Sequence, residues 1–477
     1  MYIRAIRGFF TFAGSEWCDN LPQMPADNPS GSPSVEQAAD TSAAGAALPQ
    51  HVVVVEPAQP LGPTQPDERI SLIDVLRGLA LFGIIVANMR GFAGPLISYF
   101  RPNLIWKTRL DFWVQALIDT FIQGKFITIF AFLFGVGFVL QFTRAEKRHG
   151  RFVRVYIRRL LALILIGALH QLLFWWGDIL ISYALGGFLL IPFRKRKNKT
   201  ILIWALALMF VPLLGGSGYT LYRHLRPQSP AKQEESRKKS VEKRQKSEAE
   251  MWKTVKVYQT SNYLDIFKER LGELTRENRT QPIVVLMTLP IFLLGLWVWR
   301  QGILQDPGAH RALLLKGLIL GAVVGIPMNI GFAWGANIVA GQTQVGPPTP
   351  FMLFGFFLAI VGRPALSMSY ACAVALLFLS ETWQRRIMPF AAIGRTALSN
   401  YLFPTIVGTT IFYGYGGGLF ARVHLAWLLV LSVVIYALQA PLSNWWLSRY
   451  RFGPAEWIWR SMTYGKAQLR KRDTLPA

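Results

Sequence analysis

The chain is dominated by uninterrupted runs of apolar residues that are long enough to cross a lipid bilayer. A spanning helix needs about 20 such residues, and 52% of the 477 residues are hydrophobic while only 16% are charged. Because lipid offers no hydrogen-bond partners, only helices and closed β-barrels can span it. Runs such as Leu160–Trp176 are continuous rather than alternating, which favours helices. The sequence therefore predicts an all-α, polytopic transmembrane helical bundle.

We expect about ten spans, preceded by a leader over residues 1–68 whose Pro, Ala, Ser and Gly content is typical of disorder. Residues 112–122 predict an interfacial helix or an extension of the second span. The eighth segment is too long for one straight span. The predicted spans are Leu72–Met89, Lys125–Phe142, Leu160–Trp176, Ile179–Phe193, Thr200–Tyr219, Pro282–Trp299, Ala312–Trp334, a segment within Pro350–Ser380, Thr396–Tyr413 and Leu425–Trp446.

The spans group into regions, and short basic loops predict how the regions face the membrane. Residues 69–222 form an N-terminal transmembrane half, 223–281 a basic polar loop with the character of a solvated helix, 282–466 a C-terminal transmembrane domain and 467–477 a basic tail. Lys and Arg are dense in residues 143–159 and 194–199, which places both loops in the cytoplasm. An even number of spans then puts both termini there and the 223–281 loop outside.

The net charge of +25 has a membrane explanation, because basic loops lie beside anionic lipid. We therefore expect membrane lipids as partners and no nucleic acid. Cys18 and Cys372 give neither a disulfide framework nor a zinc site, and no metal-ligand spacing or nucleotide-binding glycine loop occurs. The sequence predicts no metal site and no permanently bound cofactor, and it leaves assembly into a homo-oligomer open.

The first span carries three polar residues on one helical face. Asp74 and Arg77 are three residues apart, and Asn88 lies eleven beyond Arg77, a spacing that returns to nearly the same face. This polar seam predicts a substrate path in which Asp74 and Arg77 bind substrate and Asn88 takes part in the chemistry. An ion pair that only anchors the helix at the interface is the alternative.

His170 lies near the middle of the third span, and a titratable side chain at that depth is a functional candidate. Its ordinary pKa suits proton transfer near neutral pH. A neutral histidine bonded to a neighbouring helix is an equal alternative. Asp178, in the turn that follows, is either its catalytic partner or a turn residue at the outer surface, and taken alone the second interpretation is favoured.

Four further polar residues in apolar segments are predicted to bind substrate. Lys125 begins the second span, where a lysine that reaches for the surface is the favoured alternative. Arg363 poses the same question in the eighth segment, with Ser367 and Tyr370 on its helical face. Arg395 and Asn400 form a polar entry to the ninth span, although such groups often serve as contacts between helices.

Several short motifs occur in a fixed order along residues 69–466, and this order resembles the YeiB family of bacterial multi-span membrane proteins. The resemblance implies a C-terminal domain of unknown function (number 418) and the bacterial plasma, or inner, membrane. The motifs are Asp74-Val75-Leu76-Arg77-Gly78, Gly124-Lys125-Phe126, Phe132-Leu133-Phe134-Gly135, Arg158-Arg159, His170, Gly177-Asp178-Ile179-Leu180, Tyr183-Ala184, Gly394-Arg395, Ser399-Asn400-Tyr401, Gly453-Pro454, Glu456-Trp457 and Trp459-Arg460.

The opening of the first span, Asp74 with Arg77-Gly78 and the distant Asn88, is also similar to transmembrane acyltransferases such as heparan glucosaminide acetyltransferase. This more distant resemblance implies an acyltransferase-like N-terminal half. In the heparan enzyme a catalytic histidine follows the asparagine by eleven residues, and here that position is Tyr99. A role for His170 as the base is our own inference and does not come from the resemblance.

The function that we expect is transfer of an acyl group from a cytosolic acyl-CoA-type donor to an unidentified acceptor at the membrane. Arg158 and Arg159 are predicted to bind the donor's phosphates, with anionic lipid as the competing ligand. Acyl-CoA would be a co-substrate rather than a resident cofactor. The alternatives are a transporter or permease for a small solute, whose polar residues would line a path, and a non-enzymatic membrane factor.

Overall fold

A computed structural model describes residues 70–99, 101–147, 152–225, 229–277, 281–341 and 350–469. Within these ranges the chain forms α-helices, short 3-10 turns and no β-strand, which confirms the all-α prediction. The leader, Cys18 and most of the basic tail lie outside the described residues. The helices are α1 Ser71–Ala93, α2 Arg109–Phe121, α3 Lys125–Lys147, α4 Phe152–Leu173, α5 Leu180–Leu190, α6 Asn198–Leu225, α7 Pro230–Thr260, α8 Tyr263–Glu277, α9 Gln281–Arg300, α10 Arg311–Gly341, α11 Pro350–Phe378, α12 Glu381–Ile387, α13 Phe390–Arg395, α14 Ala397–Phe412, α15 Leu425–Arg449 and α16 Pro454–Tyr464.

Each predicted span overlaps a helix of this bundle. By length and apolar composition, six segments among the described residues are able to cross a membrane. They are Ser71–Ala93, Arg109–Lys147, Gln281–Arg300, Arg311–Gly335, Phe357–Phe378 and Leu425–Arg449. Their outward faces carry many exposed large apolar side chains, as expected for a surface that contacts lipid. The chain is therefore a polytopic membrane-type bundle.

Two features of the sequence take a definite form in the structure. Residues 109–121 are a separate helix, α2, which begins with a capping box between Thr108 and Asp111. The long eighth segment is one helix, α11, which continues through Pro364. Ser367, three residues beyond this proline, donates a hydrogen bond to the Arg363 carbonyl oxygen at 2.6 Å.

Helix α1 is the centre of the bundle and is almost completely buried. It packs against α3, α13, α14 and α15. Its contact with α13 is made backbone to backbone, because a Cβ atom on Gly78 would lie 2.1 Å from the Phe390 carbonyl oxygen. Gly394 approaches the Asp74 carbonyl oxygen in the same way. Glycines at both contact points therefore let the two helices cross closely.

The polar segment between α6 and α9 folds into two helices, α7 and α8. As its composition predicts, exposed ion pairs at helical spacing run along α7, including Arg237 with Glu234 and Lys239 with Glu235. The segment packs on the end of the bundle where α4 finishes, and Arg270 donates to the Leu172 carbonyl oxygen at 3.1 Å. This is the end opposite the basic loop between α3 and α4.

This placement gives a direct test of the predicted orientation. In a chain whose two cysteines are replaced by serine, Cys at Lys147 is expected to react only after permeabilisation, because the α3–α4 loop is predicted to be cytoplasmic. Cys at Lys253, exposed on α7, should react in intact cells. Labelling with a membrane-impermeant maleimide measures both. Reaction at position 147 in intact cells would reverse the predicted topology.

Candidate functional site

A cavity of about 160 Å³ lies inside the bundle between the N-terminal and C-terminal halves. Helices α1, α3, α4, α5, α13, α14 and α16 contribute its walls. Most of its surface is aromatic or aliphatic, and its polar groups collect at one end. The lining residues are Arg77, Ile84, Phe130, Leu133, Phe134, Gly137, Phe138, Gln141, Tyr156, Arg159, Leu163, Ile179, Leu180, Tyr183, Gly394, Arg395, Ala397, Leu398, Tyr401, Glu456, Trp459 and Arg460. We call this the arginine cavity.

Four arginines define the polar end of the arginine cavity: Arg77, Arg159, Arg395 and Arg460. The Arg77 side chain is 28% exposed and pairs with Asp74 at 3.3 Å, so this end reaches the protein surface. The single carboxylate in the lining is Glu456. A concentration of guanidinium groups around an apolar cavity is suited to a ligand with an anionic head and an apolar tail.

The terminal helix α16 supplies Glu456 and fixes it against the start of α14. The carboxylate accepts hydrogen bonds from the backbone amides of Leu398 and Ser399 and, at 2.6 Å, from the Ser399 hydroxyl. Burial raises the pKa of the Glu456 carboxyl, against these hydrogen bonds, which lower it. Glu456 therefore acts first as a cap for the start of α14.

The same helix holds Arg159 in place. The Arg159 guanidinium lies 3.8 Å from the centre of the Trp459 ring, and the Trp459 indole donates to the Arg159 carbonyl oxygen at 2.9 Å. Stacking on an aromatic face leaves the edge donors of a guanidinium available for an anion. Trp459 therefore orients Arg159 toward the cavity. Its neighbour Arg158, predicted to share the same role, is exposed and does not line the cavity.

Two tyrosine hydroxyls bring hydrogen-bonding groups to the apolar part of the arginine cavity. The Tyr156 hydroxyl is buried and has no hydrogen-bond partner among the described residues. Since an unsatisfied buried hydroxyl is costly, a polar group of a ligand is a natural partner for it. The Tyr401 hydroxyl instead accepts from the Ile179 amide at 3.3 Å and lies 3.4 Å from Asp178 Oδ2.

Behind Tyr401 lies a buried pair, His170 and Asp178, which we call the dyad. His170 Nδ1 is 2.8 Å from Asp178 Oδ2, and both side chains are at most 3% exposed. His170 Nε2 is 3.1 Å from the Thr405 hydroxyl. Asp178 Oδ1 accepts from the Leu180 amide at 2.7 Å, so the start of α5 orients the carboxylate. Polar partners at both ring nitrogens fix the orientation of the imidazole, which makes His170 a candidate for proton transfer.

Asp178 is a turn residue that also lies within hydrogen-bond distance of His170, and it is buried rather than at the outer surface. His170 itself does not line the arginine cavity. Tyr401 connects the two, because it faces the cavity and contacts Asp178. The structure thus assembles a chain of polar groups that runs from the cavity through Tyr401 and Asp178 to His170 and ends at Thr405.

Other predicted residues lie elsewhere. Asn88 is half-buried and, among the described residues, contacts neither the cavity nor the dyad. Asn400 is buried between helices, where its amide donates to Ser443 at 2.9 Å and to Thr396 at 2.7 Å; this is the contact between helices that the sequence also allows. Lys125 and Arg363 lie together at the opposite end of the bundle.

Among the residues of this arrangement that the sequence did not predict as site residues are Tyr401, Thr405 and Arg460. Tyr401 and Arg460 stood in family motifs, so motif membership was the available signal. Thr405 had none, because hydroxyls are common in membrane helices. Among the described residues, no group of three His, Cys, Asp or Glu side chains is placed to hold a metal ion.

Comparison with known proteins places the chain among relatives of undetermined function. Residues 298–466 match the family described as "Protein of unknown function (DUF418)". The chain is 34% identical over 420 residues to the uncharacterized protein YxaH of Bacillus subtilis (strain 168), covering 85% of this chain and 96% of YxaH. It is 28% identical over 421 residues to the uncharacterized protein YeiB of Escherichia coli (strain K12), covering 83% and 96%.

A third relative is an uncharacterized 39.9 kDa protein encoded in the amylase 3' region of Bacillus acidopullulyticus. It is 27% identical over 411 residues, which cover 85% of this chain and 97% of that protein. No solved structure matches the chain. The relatives match along nearly their whole length, so the likeness extends through both halves of the bundle. The chain belongs to the YeiB-like family of helical membrane proteins that carry the DUF418 domain.

Proposed function

We propose that this protein transfers an acyl group from an acyl-CoA-type donor, bound in the arginine cavity, to an acceptor at the membrane. The observation that carries the proposal is the arrangement of one cavity with guanidinium groups at its surface end and a tyrosine leading to a histidine–aspartate dyad at its inner end. A donor with phosphates at one end and a thioester at the other matches this polarity.

The length of the cavity supports an arrangement in which the donor's nucleotide lies near the surface and its acyl arm lies inside the cavity. In the proposed arrangement the nucleotide would remain near the surface, against Arg77, Arg159, Arg395 and Arg460, which line the cavity. Charge-assisted bonds from guanidinium groups are well suited to phosphates. Along α1 the lining extends from Arg77 to Ile84, about 10 Å at 1.5 Å per residue, which gives room for an extended acyl arm.

The proposed reaction is attack of an acceptor hydroxyl or amine on the thioester carbonyl carbon. The carbon–sulfur bond breaks, a new ester or amide bond forms, and the acceptor's proton is returned to the departing thiolate. His170 would store that proton as general base, with Asp178 stabilising the imidazolium that results. Since Tyr401 separates the dyad from the cavity, its hydroxyl would pass the acceptor's proton to Asp178 Oδ2, and from there the proton would move to His170 Nδ1. The imidazole would start as the neutral tautomer whose Nε2–H donates to the Thr405 hydroxyl.

Arginines that bind the donor should control its affinity. We expect Arg159→Gln to weaken binding of labelled acetyl-CoA about 10-fold or more, because it removes a charge-assisted hydrogen bond of about 1.5 kcal/mol or more. Equilibrium binding to purified full-length protein in lipid nanodiscs measures this. Arg154→Gln is the matched control, since Arg154 is exposed on the same helix, α4, and does not line the cavity.

Two results would contradict the proposal. Equal loss of affinity in Arg154→Gln would mean that acetyl-CoA is attracted by general positive charge. Absence of saturable acetyl-CoA binding, in protein whose thermal unfolding is cooperative, would leave anionic lipid as the ligand of these arginines and remove the basis for acyl transfer.

A further inference from the structure

A second group of cations lies at the end of the bundle opposite the four arginines of the cavity. It comprises Arg90, Lys125 and Arg363, with the single carboxylate of Asp119 among them; we call these four residues the cation cluster. Arg90 Nη1 is 3.6 Å from Asp119 Oδ1, and Lys125 Nζ donates to the Asp119 carbonyl oxygen at 2.5 Å. The Arg363 side chain packs over Gly124, where a Cβ atom would lie 2.8 Å from Arg363 Cδ.

Burial makes the charge of the cation cluster costly. Lys125 is 0% exposed and Arg90 is 5% exposed, so neither side chain reaches out to the surface as cations at a membrane interface usually do. The two guanidinium groups of Arg90 and Arg363 alone outnumber the one carboxylate, Asp119, with which Arg90 pairs. Uncompensated buried charge is strongly unfavourable, and a functional cause is expected for ionisable groups held inside a membrane bundle.

Two guanidinium groups of the cation cluster also have donor atoms that make no hydrogen bond to any residue that the structure describes. The Nε atoms of Arg90 and Arg363 are buried and have no hydrogen-bond partner among the described residues. Aromatic rings hold both guanidinium groups without neutralising them: Arg90 lies 4.7 Å from the centre of the Tyr99 ring, and Arg363 lies 4.7 Å from that of Phe332. The cluster therefore has both the charge and the free donors that an anion requires.

The cation cluster lies apart from the arginine cavity. On α3, Lys125 lies five residues before the cavity residue Phe130, and on α1, Arg90 lies six residues beyond Ile84. At 1.5 Å per residue these offsets correspond to about 8 and 9 Å. Tyr183 joins the two regions, since it lines the cavity and donates to the Ile127 carbonyl oxygen at 2.9 Å. A ligand at the cluster would thus approach from the other end of the bundle.

We propose that the cation cluster is a binding site for an anionic group, a phosphate or carboxylate, of a small molecule that enters from the end of the bundle opposite the arginine cavity. Asp119 pairs with Arg90 at 3.6 Å, so its carboxylate would compete with a bound anion for the positive charge of the cluster. The inference does not rest on acyl transfer: the anionic group would belong to the acceptor if the protein is an acyltransferase, and to a transported solute if it is a carrier.

The test uses purified full-length protein in nanodiscs, with inorganic phosphate and succinate as probes and sodium chloride at matched ionic strength as the reference. It is made in an Arg159→Gln background so that the arginine cavity contributes less. A ligand that binds only the folded protein raises the unfolding temperature in a saturable way. We expect such a rise with phosphate, succinate or both, and the stronger probe identifies the chemical class.

Three substitutions assign the effect to the cluster. Arg363→Gln should raise the apparent Kd about 10-fold or more, because a charge-assisted hydrogen bond is lost. Asp119→Asn should lower the apparent Kd, because the competing carboxylate is gone. Arg422→Gln, an exposed arginine in the turn beside the end of α1, should leave the apparent Kd unchanged.

The inference is overturned if neither probe stabilises the protein more than chloride does. It is also overturned if the apparent Kd is the same in Asp119→Asn and in the parent, or if Arg422→Gln weakens binding as much as Arg363→Gln. If Arg363→Gln does not fold, the result for Asp119→Asn is sufficient, because the inference requires this variant to bind the probe more tightly than the parent does. Each outcome can be read whether or not acetyl-CoA binds at the arginine cavity, so failure here and failure of acyl transfer are distinguishable.

Discussion

Replacing His170 with glutamine is expected to lower the rate of acyl transfer by about 100-fold or more, the usual contribution of a general acid–base group. Glutamine can still form hydrogen bonds with Asp178 and Thr405, but it cannot accept a proton near neutral pH. The rate is measured as transfer of radiolabel from acyl-CoA to membrane acceptors by purified protein. Thermal unfolding of the same sample should change little, since a polar contact between membrane helices contributes about 1 kcal/mol.

The matched control for this substitution is His310→Gln. His310 lies in the turn before α10, where Nδ1 is 2.9 Å from the Asp306 carbonyl oxygen, far in the chain from the dyad. The same change of side chain should leave the rate of transfer near that of the parent. A folded His170→Gln protein that transfers at a near-normal rate would remove the dyad from the mechanism and would favour transport over acyl transfer.

The apolar pattern predicted the helices well because burial in lipid constrains composition directly. Span one was predicted as Leu72–Met89 and is helix Ser71–Ala93; span ten was predicted as Leu425–Trp446 and is helix Leu425–Arg449. The ends shift by a few residues because helix termini depend on local caps rather than on hydropathy. Whether residues 350–380 held one helix or two depended on the contacts around Pro364, which a single sequence does not contain.

The sequence predicted individual polar residues of the candidate site, but it did not predict which residues from different helices contact each other there. The spacing of Asp74 and Arg77 predicted that they face the same way, and the structure pairs them at 3.3 Å. By contrast, His170 contacts Thr405, which is 235 residues away in sequence. Contacts of this kind depend on which helices are neighbours, and helical periodicity gives the face of a helix without naming its partner.

Lys125 shows most clearly that the sequence does not predict the environment of an individual side chain. A lysine at the start of a predicted span is expected to reach the interface, and this was the favoured interpretation, but the side chain is 0% exposed. The cause is the turn that joins α2 to α3, in which Gly124 adopts φ +85°. The Asp119 carbonyl oxygen, near the end of α2, then accepts the lysine's hydrogen bond.

Helices α3 and α9 pack closely against each other. For this reason Gly295→Leu is expected to prevent formation of a stable bundle. A Cβ atom at Gly295 would lie 2.0 Å from the Phe132 carbonyl oxygen, and one at Gly135 would lie 2.0 Å from the Phe292 carbonyl oxygen. These are backbone atoms, which no rotamer change can move away. Small residues that let two helices touch are a main source of packing energy in membranes.

Even Gly295→Ala should therefore destabilise the protein by about 2 kcal/mol, within the range for overpacked cores, and leucine by more. Thermal unfolding in detergent and the yield of monodisperse protein measure the loss. Gly355→Ala is the matched control, because Gly355 lies within helix α11 and a Cβ atom there would have no neighbour within 4 Å. At that site alanine should be neutral or slightly stabilising, since it is the better helix former.

If Gly295→Ala unfolds at the same temperature as the parent, the close crossing of α3 and α9 is not a determinant of the fold. The consequence would extend to the cavity, because Phe130, Phe134 and Gly137 reach it from α3 and their position depends on how closely α9 supports that helix. Loss of stability in Gly295→Ala, with none in Gly355→Ala, would show that the spacing of these two helices holds one wall of the arginine cavity in place.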